Sequence, residues 1–402
     1  MIKRILYTLL IMFPVLASAQ INTDRVMAIG RNALYFEDYV LSIQYFNQVI
    51  NAKPYLSDPY FYRGLAKINL DDFQGAESDC SEAIERNPFV VSAYQVRGLA
   101  RIQQNNFAGA IEDYTKALEF DPENIGVWHN MALCRIRQED YKGAKNDLDK
   151  LIAISPRYTK AYLMRGEVDL KQKDTLAAEK DFGKAIEIDR YDADTWASRA
   201  ILRLQQQRYK DAEADFDHAI RLSTRNSGVY INRALARYHQ NNLRGAMSDY
   251  DIALDIDPNN FIGHYNRGLL RAQVGDDNRA IQDFNFVIEM EPDNMMAIFN
   301  RGLLLDQTGD YKGAIKDYST VINEYPNFLL GYQYRAQARR KIGDVKGADA
   351  DEFKVLKAQL DKQNGVDPNK QTADNTANNK TRAARTVTKA RKEKLVRSLT
   401  RT

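Results

Sequence analysis

Eight arginines stand on one arithmetic series. Arg63, Arg97, Arg165, Arg199, Arg233, Arg267, Arg301 and Arg335 are separated by 34 residues or twice that, and Ile29 and Met131 occupy the remaining terms. A small residue follows each term, from Gly30 and Gly64 to Gly302 and Ala336. Twelve residues further on lies another, from Ser42 and Ala76 to Ala314 and Ala348. No insertion or deletion breaks the count over ten terms. A chain held to a period of this length buries its apolar side chains by stacking each unit on its neighbours, which predicts a solenoid.

Each unit reads as two helices. In Val91–Asn124, Tyr94, Gly98, Leu99 and Ala100 alternate with polar residues at helical spacing. Phe107, Ala110, Ile111, Tyr114, Ala117 and Leu118 then form a cleaner apolar stripe. Between the two lies Gln104-Asn105-Asn106, spelled in later units as Gly275-Asp276, Gly309-Asp310 and Gly343-Asp344. Glycine can take the left-handed conformation that ends the first helix, and aspartate can cap the second. Pro54, Pro88, Pro122, Pro156, Pro258, Pro292 and Pro326 recur after the second helix. Proline has no N–H with which to continue it.

This pattern resembles the tetratricopeptide repeat family, over about ten units from roughly Thr23 to Leu360. The family's first aromatic is matched by Tyr60, Tyr94, Trp128, Tyr162, Trp196, Tyr230 and Tyr332. Its second is matched by Phe46, Tyr114, Phe182, Phe216, Tyr250, Phe284 and Tyr318, and its later alanine by Ala83, Ala117, Ala185, Ala219 and Ala253. The resemblance implies an all-α fold, a right-handed superhelical α-solenoid of antiparallel helix pairs, with a non-catalytic role in binding other proteins. Departures from the pattern are regular. Arginine replaces the usual leucine before the glycine, and a basic residue replaces the tyrosine four positions later, as at Lys67, Arg101, Arg135, Arg203, Arg237, Arg271 and Arg339. Arg190 and Thr224 stand in place of the terminal proline in the fifth and sixth units, predicting softer stops there. Glu352 replaces an aromatic in the last unit, as suits a solvent-facing end.

The arginines have a matching series. An aspartate follows each by sixteen residues, at Asp79, Asp113, Asp181, Asp215, Asp249, Asp283, Asp317 and Asp351. Met131 keeps its aspartate, Asp147, whereas Ile29 faces Tyr45. Each arginine on the first helix is expected to meet an aspartate on the second helix of its own unit or the next, through the two-bond fork that guanidinium offers a carboxylate. This reading is structural rather than catalytic.

The two ends differ from the middle. MIKRILYTLLIMFPVLASAQ has a basic start, an apolar run and a small-residue cleavage site, so residues 1–19 read as a signal peptide. The run is too short and interrupted to span a membrane comfortably, and no cysteine follows the cleavage site to carry a lipid anchor. The expected product is exported and periplasmic or envelope-associated. From about Asp361 to Thr402 the period is lost and the composition becomes basic, predicting a disordered tail beyond the repeats of residues 20–360. Set against a whole-chain charge of +3, the leader's +2 and the +8 of residues 380–402 leave about −7 on residues 20–379. An acidic solenoid with a basic arm suits a protein partner, with the arm free to touch anionic lipid or polysaccharide. The leader and the acidic solenoid both argue against RNA as the partner.

No catalytic constellation is present. There is no phosphate-cradling loop, no H-E-x-x-H, no C-x-x-C and no G-x-S-x-G. His129, His218, His239 and His264 fall at scattered repeat positions, without the paired spacing of a zinc site. Neither a metal nor a cofactor is expected. Cys80 and Cys134 fall in core positions and read as buried free thiols, with a disulfide as the alternative in an oxidising compartment.

The resemblance places ligand-facing residues on the first helix, at positions two, five, six, nine, twelve and thirteen. Position six presents Asn130 and then Asn232, Asn266 and Asn300 from three consecutive units. An amide both donates and accepts, so such a row can hold an extended peptide by its backbone. Tyr265 and Phe299 at position five, with Ile231, Leu269, Leu303 and Met296, would supply adjoining apolar area or else inter-repeat core. The expected ligand site is therefore Asn130, Asn232, Asn266, Asn300, Tyr265 and Phe299.

Overall fold

The computed structural model describes residues 22–222 and 225–363. The leader, Thr224 and the basic tail beyond Gln363 lie outside the described residues. Among the described residues there are twenty helices and no strand, running from Thr23–Tyr35 to Val345–Gln363. They fall into ten pairs, here called helix A and helix B of repeats one to ten, with repeat one beginning at Thr23. The chain divides into two compact units, one ending at Arg190 and one beginning at Tyr191. Each holds five repeats. Within each unit, helix A packs on its own helix B, and helix B packs on the helix A that follows.

The connections are set by local chemistry. Helix A ends in a left-handed residue in every repeat: Gly275, Gly309 and Gly343 at φ 79°, 94° and 80°, and non-glycine residues such as Lys173 and Gln207 at φ 65° and 62° in the others. The next residue caps helix B, as where Asp310 accepts from the Gly313 N–H at 2.9 Å. Two repeats are exceptions: repeat six has Arg208, which has no acceptor to offer, and repeat eight has Asp276. Its carboxylate is turned to Arg279 at 2.7 Å, and it makes no side-chain cap bond. Helix B ends two residues before the recurrent proline. Arg190 does not soften the stop, since helix B of repeat five ends at Ile188 in the same register.

The core follows the period. The position-eight glycines let the helix B ring lie against the helix A backbone. A Cβ on Gly166 would stand 2.6 Å from the Phe182 ring. Phe46, Phe182, Phe216 and Phe284 are fully buried, as are the alanines at the close crossings. Glu352 at the final repeat is exposed and bonded to Arg340 at 2.7 Å.

The arginine series builds one clamp, repeated. In each of the eight repeats the guanidinium meets the aspartate of its own helix B. Arg267, for example, donates from Nε and Nη2 to the two oxygens of Asp283 at 3.2 and 2.7 Å. The next repeat's aspartate is not used. In seven of the eight, Nη1 instead reaches back sixteen residues to helix B of the preceding repeat, as in Arg267 to Asp251 at 2.8 Å and Arg301 to Asn285 at 2.8 Å. In six repeats the guanidinium also lies over the ring three residues before it, for instance 5.0 Å from the centre of Trp196. The basic residue four positions later bonds the same aspartate from the other side, as Arg271 does to Asp283 at 2.7 Å. An aspartate buried to 3 % exposure thereby receives two cations. In repeat five the polarity is inverted: Asp169 holds the basic position and receives Lys145 of the preceding helix B.

Cys80 and Cys134 are both buried and unbridged. Burial pushes the Cys80 thiol up to about 12 and the Cys134 thiol up to about 11.

Candidate functional site

Four of the six expected ligand residues converge in the second unit. Tyr265 and Asn266 on helix A of repeat eight, and Phe299 and Asn300 on helix A of repeat nine, line one cavity of about 640 Å³. They share it because positions five and six of consecutive A helices lie side by side. Phe261 and Ile262 add apolar lining, Met296 stands exposed at the rim, and Tyr325 and Phe328 also line the cavity. Glu291 and Asp293, from the loop before repeat nine, form an acidic rim.

The rings serve the core and the cavity together. Tyr265 lies edge-on to Phe284 with centroids 5.8 Å apart, and Phe299 contacts Tyr318, Phe328 and Tyr334 at 5.1–5.8 Å. The two amides are not equivalent. Asn300 donates from Nδ2 to the Tyr265 hydroxyl at 3.1 Å, which ties repeat nine to repeat eight. Burial raises the Tyr265 phenol above its usual range, against the opposing effect of the Asn300 bond, so the hydroxyl stays protonated at neutral pH. The hydroxyl accepts in that bond and keeps its own donor capacity. Asn266 stands beside this pair in the cavity lining, half-buried.

Asn232 is half-buried on repeat seven and does not line the cavity. Its neighbour Ile231 is buried in the core with Tyr250 and Leu270. Asn130 belongs to the first unit, next to His129, whose Nδ1 lies 3.3 Å from the Tyr158 hydroxyl. The helix-position rule missed Tyr325, Phe328, Glu291 and Asp293 because they belong to the connections between repeats. The aromatic pair flanking Pro326 was the available signal.

His264 also escaped the sequence reading. It replaces the first aromatic of repeat eight, stacks on Phe286 at 4.0 Å and bonds Asp283 at 3.1 Å and the Pro258 carbonyl at 3.0 Å. Trp128 and Tyr162 make the same bond to the carbonyls of Pro122 and Pro156. The first aromatic thus seals the stop of the preceding helix B. No group of three metal-ligating side chains is present among the described residues.

Family models match along both units. A TPR repeat model covers residues 98–134, and two tetratricopeptide repeat models cover 125–192 in two adjoining copies and 198–261 with 265–327. Together they span more than half of the chain. The chain belongs to the tetratricopeptide repeat family. Tetratricopeptide repeats bind protein or peptide partners and are generally non-catalytic scaffolds. Among solved structures, the chain is similar to a tetratricopeptide repeat protein from Parabacteroides merdae, at 21 % identity and TM-score 0.48, over 62 % of this chain and 98 % of that one. It is also similar to the C-terminal part of a TPR repeat-containing protein from Cytophaga hutchinsonii, at 17 % identity and TM-score 0.49, over 59 % and 97 %. A third is YrrB, described as a TPR protein with an unusual peptide-binding site, at 20 % identity and TM-score 0.39, over 46 % and 95 %. No curated relative matches the sequence. No helix among the described residues is long and apolar enough to cross a membrane.

Proposed function

We propose that this tetratricopeptide repeat protein is a non-catalytic scaffold of the cell envelope that holds a segment of a partner protein against the A helices of repeats eight and nine. The observation that carries the proposal is the convergence of Tyr265, Asn266, Phe299 and Asn300 on a single cavity with an apolar floor. An apolar recess with a few fixed polar groups suits a peptide whose side chain fills the floor while its backbone meets the amide. Glu291 and Asp293 favour a basic residue beside that side chain. Export rests on the leader sequence of residues 1–19.

The test is site-directed photocrosslinking in the native envelope. A crosslinker at Met296, which is 64 % exposed on the cavity rim, should capture a partner that one at Leu176, 79 % exposed on a B helix, does not. Changing Asn266 to Ala should weaken that capture while leaving helical content unchanged. Equal capture from both positions, or capture indifferent to Asn266→Ala, removes the proposal.

A further inference from the structure

Repeat four keeps every partner of the clamp and lacks the arginine. Elsewhere in the series the guanidinium has an aspartate sixteen residues on, in seven of the eight repeats a hydrogen-bonding side chain sixteen residues back and, in six, a ring three residues before it. Around Met131 these three positions hold Asp147, Thr115 and Trp128. All three line one recess of about 610 Å³, together with Leu118 and Met131. The recess lies wholly within the first unit.

The consequence is visible at the carboxylate. Asp147 is 3 % exposed. One of its oxygens accepts from Arg135 Nη1 at 2.7 Å, and the other, Oδ2, is buried without a hydrogen-bond partner. In the eight complete clamps both oxygens are bonded. A buried acceptor left unpaired costs roughly 1–3 kcal/mol. The other charges at the recess are largely committed: Asp149 to Arg165 at 2.6 Å and Glu119 to Lys116 at 2.9 Å. Lys150 is exposed and rests its ammonium 4.8 Å from the Trp128 ring centre, outside any ion pair with Asp147. Met131 is unbranched and flexible, the kind of side chain that yields to an entering group.

We propose that this recess is a socket for a guanidinium, the arginine side chain of a protein partner, which completes from outside the clamp that repeat four lacks. Guanidinium is favoured over ammonium because its planar fork can bond Asp147 and Thr115 together while its face covers Trp128. The socket is separate from the cavity of repeats eight and nine and does not depend on the reading of that cavity.

The full-length chain labelled with 5-fluorotryptophan gives two resonances, Trp128 and Trp196, assigned by Trp196→Phe. Nα-acetylargininamide should move the Trp128 resonance saturably and leave Trp196 in place. The neutral isostere Nα-acetylcitrullinamide should bind at least tenfold more weakly. Met131→Arg, which fills the socket from within, and Asp147→Asn, which removes its charge, should each abolish the response. No saturable shift, an equal response to the citrulline amide, or a response that survives Met131→Arg would overturn the socket. A full-length chain with Arg382, Arg385, Arg391, Arg397 and Arg401 all changed to Gln tests the source. A ligand-free Trp128 resonance unchanged by those substitutions supports an arginine from another protein. One displaced by them would overturn the partner as source in favour of the chain's own tail.

Discussion

Repeat nine offers the most direct measure of what the clamp contributes. Its basic position is Leu305, so Arg301 is the one cation bonded to Asp317 among the described residues, through Nε and Nη2 at 2.7 Å each. In repeat seven, Asp249 is held by Arg233 and also by Arg237 at 2.8 Å. Replacing each position-seven arginine by methionine copies the natural state of repeat four. Arg233→Met removes one set of charged hydrogen bonds and leaves Asp249 a cation, at a cost of roughly 1.5–3 kcal/mol. Arg301→Met strands a buried carboxylate, at roughly 3–5 kcal/mol. The difference of about 2 kcal/mol is roughly a thirtyfold difference in local opening. Amide hydrogen exchange of the affected helices is the appropriate assay, because repeat arrays open in segments rather than all at once. Adding Asp317→Leu to Arg301→Met should recover most of the loss, since an apolar pair of similar volume avoids the desolvation penalty. Equal protection losses in repeats seven and nine would refute the argument that the second cation matters.

Four further outcomes follow from the same geometry. Burial pushes the Asp147 carboxyl up to about 6, against the pull of Arg135, so the native state holds this proton more tightly than the unfolded chain. Its contribution to stability is present below the ordinary carboxylate range and is lost as pH rises to about 6, so the stability advantage of Met131→Arg over the parent should grow across that window in parallel denaturation series. Phe284→Ala, at a fully buried ring, should cost roughly 3–5 kcal/mol by urea denaturation. Gln207→Gly, at φ 62°, should raise protection of the flanking helices by about 0.5–1 kcal/mol, since glycine accepts the left-handed backbone. Cys80 should resist a thiol reagent in the folded protein and react on unfolding, as its buried thiol is raised to about 12.

The elements that a single period determines were legible in the sequence. Helix pairs, the left-handed glycines Gly275, Gly309 and Gly343, proline stops and the pairing of Arg267 with Asp283 all depend on residues within one unit, so constant spacing encodes them. The backward bond was not legible, because its partner in seven repeats varies in type and in the eighth the position is Gly183: Asn47, Ser81, Asp149, Asp217, Asp251, Asn285 and Ser319 share only an acceptor oxygen. Reading that column by hydrogen-bonding capacity rather than by residue identity would have found it. The cavity of repeats eight and nine was half legible for a related reason. Helix positions five and six brought Tyr265, Asn266, Phe299 and Asn300 together, but the walls come from connections, whose side chains follow no column.

The backward bond changes what the clamp does. A guanidinium bonded only to its own helix B would stiffen one hairpin and leave the stack to apolar contact, which tolerates sliding. One that also reaches the preceding helix B fixes three helices at a single planar group, and the fork permits little rotation without losing a bond. Register between repeats is therefore set by directional bonds as well as by packing. Repeat four, with methionine at this position, is the place in the first unit where that constraint is missing between repeats that otherwise have it. Ligand arginine at Asp147 would restore it, so occupancy of the socket should raise exchange protection in helix B of repeat three, where Thr115 lies, as well as in repeat four. Protection confined to repeat four would show that the bound group does not bridge the two repeats.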